Sequence, residues 1–410
     1  MFSWAFEIVD LNTLPQHYFI QLNTRASQKL KRAAAQNVVE ESAPSTADPE
    51  MVQVAVVMPM KENILNYVVL QKFKSEGKCS SSNSWIVEGL LTNVITNIKS
   101  EVMVKLVEKD RIGKAEKEFR IMNILYNDST SNHDYFIAPL SPSLLYGSKG
   151  QIKGHGGEDC SAYVGIAMEK GIRNMKEILQ GGSNLTINGV KLDAEKLLNI
   201  IIAADQAKVV LMDFKLSNIV RVSDHHGLHL KAIDFECSCN VNDPISTDTT
   251  AFYSCPEVAR WVIKGCLPSE TPLASHKMDV MAYGFCIYEM ASKVVYNGRS
   301  RSYWENGGVT SGQVDAHSVN AALASLTDEQ VKANLERTFV GTNFGNLRSF
   351  LQQALRVDPE ARSSGVRLLN QSSFLGSTER TLDHKGLGAQ VSKQQIIILQ
   401  IYFSSEILYL

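Results

Sequence analysis

The sequence predicts an α+β fold, and three observations lead to this prediction. Strand-like apolar segments are concentrated at residues 85–107, and helical apolar stripes follow at residues 114–126 and 192–207. A polar loop between apolar segments then carries an acid, a base and an amide: Asp213, Lys215 and Asn218.

The composition excludes several classes of protein. Hydrophobic residues make up 44% and charged residues 20% of the 410 positions, as in soluble globular chains. A net charge of −2 does not indicate nucleic-acid binding. Residues 1–11 do not look like a signal peptide, and the apolar run at 396–402 is too short to span a membrane. Seven scattered cysteines favour free thiols and a cytoplasmic location.

The polar loop leads into a predicted β-hairpin that ends in further acidic groups. Its strands are expected at residues 219–222 and 228–233, and Asp234 and Glu236 follow. Two carboxylates, an amide and an ammonium group around one point would suit a nucleotide phosphate, its divalent cation and an incoming hydroxyl. The histidines near the turn are interpreted as turn residues, not as metal ligands: His225, His226 and His229.

This stretch resembles the catalytic loop and metal-binding segment of eukaryotic protein kinases, whose patterns are H-R-D-x-K-x-x-N and D-F-G. Here they read L-M-D-F-K-L-S-N over residues 211–218 and D-F-E over residues 234–236. Met212 replaces an arginine that in the family links this loop to a phosphorylated activation loop. We therefore expect regulation that does not depend on such a phosphate. The matching residues are Asp213, Lys215, Asn218 and Asp234, and the other departures are Leu211 and Glu236.

Lys105 and Glu118 resemble the kinase ion pair that directs an ammonium group at the phosphates of ATP. Lys105 lies in the apolar segment 102–107, as the lysine of V-A-I-K does. Glu118 precedes Met122 by four residues in the next predicted helix, which is the family spacing. Glu116 is the competing partner, and an exposed lysine on an edge strand is the alternative for Lys105.

The glycine-rich loop of the family is degenerate in this chain. We expect two strands, at residues 85–89 and 93–95. By the resemblance, these strands would cover the phosphates with the glycine-rich loop. Only one glycine is retained, although glycine is what lets backbone N–H groups approach a phosphate closely. The resemblance assigns Gly89 and Val94 to ATP binding. Aligned on Val94, the three glycine positions are Val87, Gly89 and Thr92.

The segment Tyr163–Gly171 resembles the strand and hinge that join the two lobes of a kinase. By this resemblance, ATP hydrogen-bonds backbone groups between Glu169 and Gly171, and Met168 lines the pocket behind the adenine. Three later segments are similar to G-T-x-x-Y-x-A-P-E, D-V-W-S-x-G and D-P-x-x-R-P-S: residues 249–257, 278–285 and 358–364. They include Glu257 and Arg362, which pair in kinases.

The resemblance implies a two-lobed protein kinase-like fold. No motif is seen before residue 84, and a regulatory partner that binds there is left open. A strand and a helix are expected within residues 52–73, a strand at 133–140, and a surface insert at 298–345. The predicted domains are an N-terminal extension (1–83), a kinase-like domain (84–375, with N-lobe 84–168 and C-lobe 172–375) and a tail (376–410).

The resemblance also implies an ATP-dependent Ser/Thr protein kinase that uses Mg²⁺ and acts on a protein substrate. Asp213 would accept or orient the substrate hydroxyl proton, and Lys215 would balance charge on the phosphoryl group. Asn218 and Asp234 would hold Mg²⁺. The alternative is a pseudokinase, a binding or scaffold module, which the poor glycine loop and Glu236 favour.

Overall fold

The computed structural model of the chain describes residues 54–59, 66–78, 84–93, 99–128, 133–141, 144–147, 162–181, 185–224, 227–246, 250–305 and 314–376. These residues form two compact units. The first runs to Asn174 and includes Val220–Ser238, and the second consists of Met175–Ile219 and the residues from Cys239 onward. In the described ranges, no helix is long and apolar enough to cross a membrane.

The first unit contains six strands that close into an antiparallel barrel in the order β1-β2-β3-β4-β6-β5. Val102, Val104 and Leu106 of β4 are buried in its apolar core, and Lys105 is on the other face, because successive side chains of a strand point to opposite faces. The strands are β1 (Val54–Pro59), β2 (Asn66–Lys78), β3 (Ser84–Asn93), β4 (Lys99–Glu108), β5 (Leu145–Gly147) and β6 (Tyr163–Glu169).

Two predictions for the start of this unit are wrong. Residues 84–92 all pair with β4, so the predicted break between residues 89 and 93 is absent. Residues 94 and 95 of the second predicted strand lie outside the described residues. Residues 66–73 lie in β2, which pairs with β3, and are not helical. Short apolar runs do not distinguish strand from helix, and here strand pairing decides. Because β1 and β2 belong to the barrel, the folded unit begins before the predicted start at residue 84.

Helix α1 (Ile112–Asn127) confirms the helix predicted at residues 114–126. Its buried residues recur every three or four positions, which is the spacing of one helix face. They are Ala115, Glu118, Ile121, Met122 and Leu125.

The segment after α1 differs from its prediction. Residues 133–141 make two isolated bridges, from Phe136 to Ala232 and from Pro139 to Met168, instead of the predicted strand. Proline lacks the N–H group that a regular ladder needs, which interrupts pairing at this point.

A second sheet of the first unit has the order β10-β9-β7 and contains the predicted hairpin. Its strands are β7 (Arg173–Asn174), β9 (Ile219–Asp224) and β10 (Gly227–Ala232). The hairpin thus groups with the barrel strands, although the predicted C-lobe boundaries included it. His225 and His226 lie outside the described residues.

The second unit is mainly helical. Strand β8 (Val209–Val210) pairs with β11 (Cys239–Asn240). The helices are α2 (Met175–Gln180), α3 (Ile187–Gln206), α4 (Pro256–Ile263), α5 (His276–Val295), α6 (Ala316–Ala324), α7 (Asp328–Thr338), α8 (Gly345–Ala354) and α9 (Gly365–Gln371).

Two predictions for this unit need correction. Helix α3 begins earlier than predicted, because the Thr186 side chain caps it by accepting from the Gly189 N–H at 3.1 Å. The region 298–345 is not a plain surface insert, because α6 and α7 bury apolar residues: Val319, Leu323, Val331 and Leu335.

Candidate active site

Lys105 is a buried cation on β4, between Ile86 of β3 and Ile166 of β6. Its side chain is 3% exposed, and its Nζ donates to both carboxylate oxygens of Glu118 at 3.0 and 2.8 Å. Glu116 is exposed on the same helix. The predicted pairing with Glu118 is therefore confirmed, and the alternative of an exposed edge-strand lysine is wrong.

The segment 234–236 brings two more carboxylates to the same lysine. Asp234 Oδ1 lies 2.7 Å and Glu236 Oε2 lies 3.5 Å from Lys105 Nζ. The N–H of Phe235 donates to Glu118 Oε1 at 3.2 Å. Asp234 has a φ of 65°, a left-handed conformation that is uncommon outside glycine and persists where surrounding contacts hold it.

Burial and charge oppose each other in this cluster. Burial alone lowers the pKa of Lys105, but the attraction of Glu118 and Asp234 outweighs it and holds the pKa well above its usual value. Burial raises the pKa of Glu118, Lys105 opposes that rise, and repulsion by Asp234 adds to it. Lys105 is therefore charged at neutral pH.

The predicted strand and hinge, Tyr163–Gly171, consist of β6 and the two residues after it. Met168 is 7% exposed and pairs with Met103 of β4. The Glu169 N–H donates to the Ala138 carbonyl at 3.0 Å, and the Glu169 carboxylate accepts from Lys231 Nζ at 2.9 Å. The Glu169 N–H is therefore engaged within the protein, and the predicted adenine contacts of this segment stay a prediction.

Gly171 is required for close packing on β9. A Cβ added at Gly171 would lie 2.9 Å from the Cβ of Val220, a distance that real Cβ atoms do not show. The position therefore excludes any side chain while the chain follows this path.

Gly89 is not part of a loop. It lies within β3, where it pairs with Leu70 of β2 and Val102 of β4. Its backbone therefore faces neighbouring strands, and its prediction as a phosphate-binding glycine is wrong. Val94, and residues 79–83 between β2 and β3, lie outside the described residues.

The second unit carries the predicted catalytic loop, which follows β8. Asp213 Oδ2 accepts from Lys215 Nζ at 2.7 Å and from Asn218 Nδ2 at 3.0 Å. Lys215 Nζ also donates to the Thr250 hydroxyl at 2.8 Å. The other oxygen, Asp213 Oδ1, is buried and has no hydrogen-bond partner among the described residues. The structure thus brings Asp213, Lys215 and Asn218 together and leaves one fixed acceptor.

Asp279, for which the sequence did not suggest a role, holds the backbone before Asp213. Its two carboxylate oxygens accept from the N–H groups of Leu211 at 2.7 Å and Met212 at 2.9 Å. Burial raises the pKa of Asp279 to about 7, although these two hydrogen bonds oppose the rise. Met212 has a φ of 62°, a left-handed conformation that is unfavourable for a residue with a side chain. The hydrogen bonds to Asp279 stabilise this conformation.

A second network of this unit surrounds Glu289 of α5, which the sequence also did not single out. Glu289 is buried, forms an ion pair with Lys176 and accepts from the Tyr253 hydroxyl at 2.7 Å. Burial, followed by repulsion from Glu289, raises the pKa of Tyr253. These contacts tie the segment that precedes α4 to α2 and α5.

The ion pair between Glu257 and Arg362 matches the prediction. Arg362 donates to both oxygens of Glu257, at 2.9 and 3.2 Å, and its side chain is 0% exposed. Burial raises the pKa of Glu257, but the attraction of Arg362 outweighs it and lowers the pKa below its usual value.

Each unit contains oxygen donors of the type that Mg²⁺ prefers. In the first unit, the Asp234 side chain is 31% exposed and is fixed at one oxygen by Lys105. In the second, Asn218 Nδ2 donates hydrogen bonds to the backbone carbonyl and to the side chain of Asp213. The side-chain carbonyl oxygen of Asn218 therefore points away from Asp213. Both residues therefore fit the predicted role of metal ligand.

A model of the protein kinase domain family matches residues 92–375. No match was found among curated proteins. The match covers well over half of the 410 residues, and it includes the helical second unit as far as residue 375 and the part of the first unit from residue 92 onward. The chain belongs to the protein kinase superfamily.

Proposed function

We propose that the chain is an ATP-dependent protein kinase that phosphorylates serine or threonine hydroxyl groups of protein substrates. The observation that carries this proposal is the carboxylate of Asp213. Lys215 and Asn218 hold its Oδ2, while the buried Oδ1 has no partner among the described residues. An acceptor fixed in this way suits the proton of an incoming hydroxyl group.

The other residues position and neutralise charge, which is most of what phosphoryl transfer requires from a protein. Lys215 lies 2.7 Å from Asp213 and would balance charge on the transferring group. Glu118 holds Lys105 in position, and Lys105 would bind the α- and β-phosphates of ATP. Asn218 and Asp234 would hold Mg²⁺. Bound Mg²⁺·ATP would supply the phosphoryl group and its leaving group.

Serine or threonine specificity rests on Lys215, which follows Asp213 by two residues as it does in Ser/Thr kinases. A cytoplasmic location belongs to the same proposal. It is supported by the buried cysteines Cys255 and Cys286, which are thiols in the structure, as is usual in a reducing compartment.

One observation favours the second candidate, a pseudokinase. Lys105 already contacts the carboxylates of Glu118, Asp234 and Glu236. A lysine that is neutralised by the protein itself needs no phosphate to be stable. In this case the domain would act as a binding module.

The test is nucleotide binding followed by phosphate transfer. A thermal shift with Mg²⁺·ATP is expected for the wild type and not for Lys105→Met, since a ligand that binds only the folded state raises apparent stability. Transfer of labelled γ-phosphate to protein serine or threonine, lost in Asp213→Asn, would support the kinase. A folded wild type that shows neither binding nor transfer would overturn it in favour of the pseudokinase.

A further inference from the structure

Glu236, which stands where the family has glycine, contacts several cationic side chains. Its side chain is 15% exposed. Glu236 Oε2 lies 3.5 Å from Lys105 Nζ, and Oε1 lies 3.3 Å from Arg111 Nη2 and 3.5 Å from Lys114 Nζ. The Glu236 carbonyl also accepts from Lys117 Nζ at 3.5 Å. One residue therefore contacts four cations.

Three of these cations lie at the start of α1. Arg111 is the N-cap residue, and Lys114 and Lys117 follow in the first two turns. The N-terminal end of a helix carries a partial positive charge, so cations there are unfavourable and anions favourable. Helix α1 has no acidic residue in its first turn and no side-chain hydrogen bond at its N-cap. Glu236 brings a carboxylate to the cationic side chains at this end of the helix.

The 234–236 segment therefore contacts α1 at two positions along the helix. The Phe235 N–H binds Glu118 in the middle of the helix, and Glu236 binds Arg111 and Lys114 at its start. The two attachments resist rotation of α1 about its axis, and such a rotation would withdraw Glu118 from Lys105. A glutamate also restricts the backbone more than glycine does, which stiffens the segment.

We propose that Glu236 is a positioning residue that latches α1 and so keeps Glu118 on Lys105 without a phosphate on the activation loop. We call Glu236 with Arg111, Lys114 and Lys117 the Glu236 latch. As a device for catalysis, the latch rests on the proposed kinase function. It agrees with Met212, which replaces the arginine that reads such a phosphate in the family.

The first test is hydrogen exchange of the α1 amides in the full chain. Glu236→Gln keeps the shape of the side chain and removes its charge, and Glu116→Gln removes an exposed acid from the same helix as the matched control. We expect exchange to rise about three- to tenfold in Glu236→Gln and to be unchanged in Glu116→Gln. Equal protection of α1 in both variants would overturn the latch.

The second test separates positioning from a general loss of stability. Glu236→Gln is expected to raise the KM for ATP about three- to tenfold with a smaller change in kcat. The variant Arg111→Gln/Lys114→Gln should do the same, and adding Glu236→Gln to it should have little further effect, because the partners act as a unit. Additive effects would contradict the proposal.

The proposed kinase function and the Glu236 latch can be contradicted independently of each other. If the wild type binds no nucleotide, the proposed kinase function is wrong, but exchange of α1 still decides whether Glu236 holds the helix. If the wild type is active and α1 exchanges normally in Glu236→Gln, the kinase assignment stands and the latch is wrong. Thermal unfolding of each variant establishes that it is folded.

Discussion

Glu118 accepts from Lys105 Nζ with both carboxylate oxygens, and one of these oxygens also accepts from the Phe235 N–H. One carboxylate therefore connects β4, α1 and the segment that carries Asp234. A carboxylate in this position controls where the lysine ammonium lies. Its loss is expected to change ligand binding before it changes the fold, because Asp234 and Glu236 remain on Lys105.

We predict that Glu118→Gln weakens Mg²⁺·ATP binding by about tenfold or more, since it replaces a charge-assisted pair with a neutral amide. Calorimetric titration of the purified variant measures the affinity. Glu116→Gln, on the exposed side of the same helix, is the control and should bind as the wild type does. Equal affinities in the two variants would contradict the role of Glu118.

Asp213→Asn is expected to reduce kcat by about 10²- to 10⁴-fold, the usual contribution of a positioned general base. Nucleotide affinity should stay the same, because Asp213 is assigned to the hydroxyl group and not to ATP. Steady-state phosphotransfer and titration with ATP separate the two effects. Asp110→Asn, which alters an exposed acid, serves as the control, and a loss of ATP affinity in Asp213→Asn would be evidence against the assignment.

The Thr250 hydroxyl lies 2.8 Å from Lys215 Nζ, so a negative charge at this position is expected to attract Lys215 away from Asp213. Thr250→Glu would place a carboxylate in competition with Asp213 for Lys215 and should lower phosphotransfer about tenfold or more. Thr250→Ser keeps the hydroxyl group and should retain activity. Strong activation by Thr250→Glu would also contradict the expectation of phosphate-independent regulation. Thr249 lies outside the described residues.

Arg362→Met is expected to lower the free energy of unfolding by about 3–5 kcal/mol, because it leaves the mostly buried Glu257 carboxylate without its cation. Arg356→Met is the matched control: Arg356 pairs with Asp328 at the surface, where an ion pair contributes about 1 kcal/mol or less. Urea denaturation of both variants gives the two values. Similar losses in the two variants would show that burial of the Arg362 pair is not what matters.

Stability should depend on pH through Asp279. Its pKa is about 7 in the folded protein against an ordinary 3.8, so the folded state holds the proton more tightly than the unfolded state. The stability due to this carboxyl is fully present below pH 3.8 and is lost as the pH rises through about 7. Asp279→Asn removes this titration. Urea unfolding at about pH 5 and about pH 8 should show a steeper decline for the wild type than for the variant, and parallel declines would refute the prediction.

Local pattern was enough to predict several elements from the sequence. Helix α1 follows from its apolar spacing, and the β9–β10 hairpin follows from two apolar runs on either side of a turn. Lys105, Glu118, Asp213, Lys215 and Asn218 could be selected because they match kinase motifs whose residues have a fixed spacing along one strand, one helix or one loop.

Tertiary structure decided what depends on partners that are distant in the chain. Gly89 is a strand residue because β2 and β4 flank it, and residues 66–73 are a strand because β3 pairs with them. Asp279 hydrogen-bonds to a backbone bend more than 60 residues earlier in the chain, and Glu236 contacts Arg111 and Lys114, which lie more than 120 residues earlier. Spacing along the chain predicts helix faces and strand alternation, because backbone geometry repeats locally. Pairing between distant segments depends on the packing of the whole unit, so only the folded chain determines it.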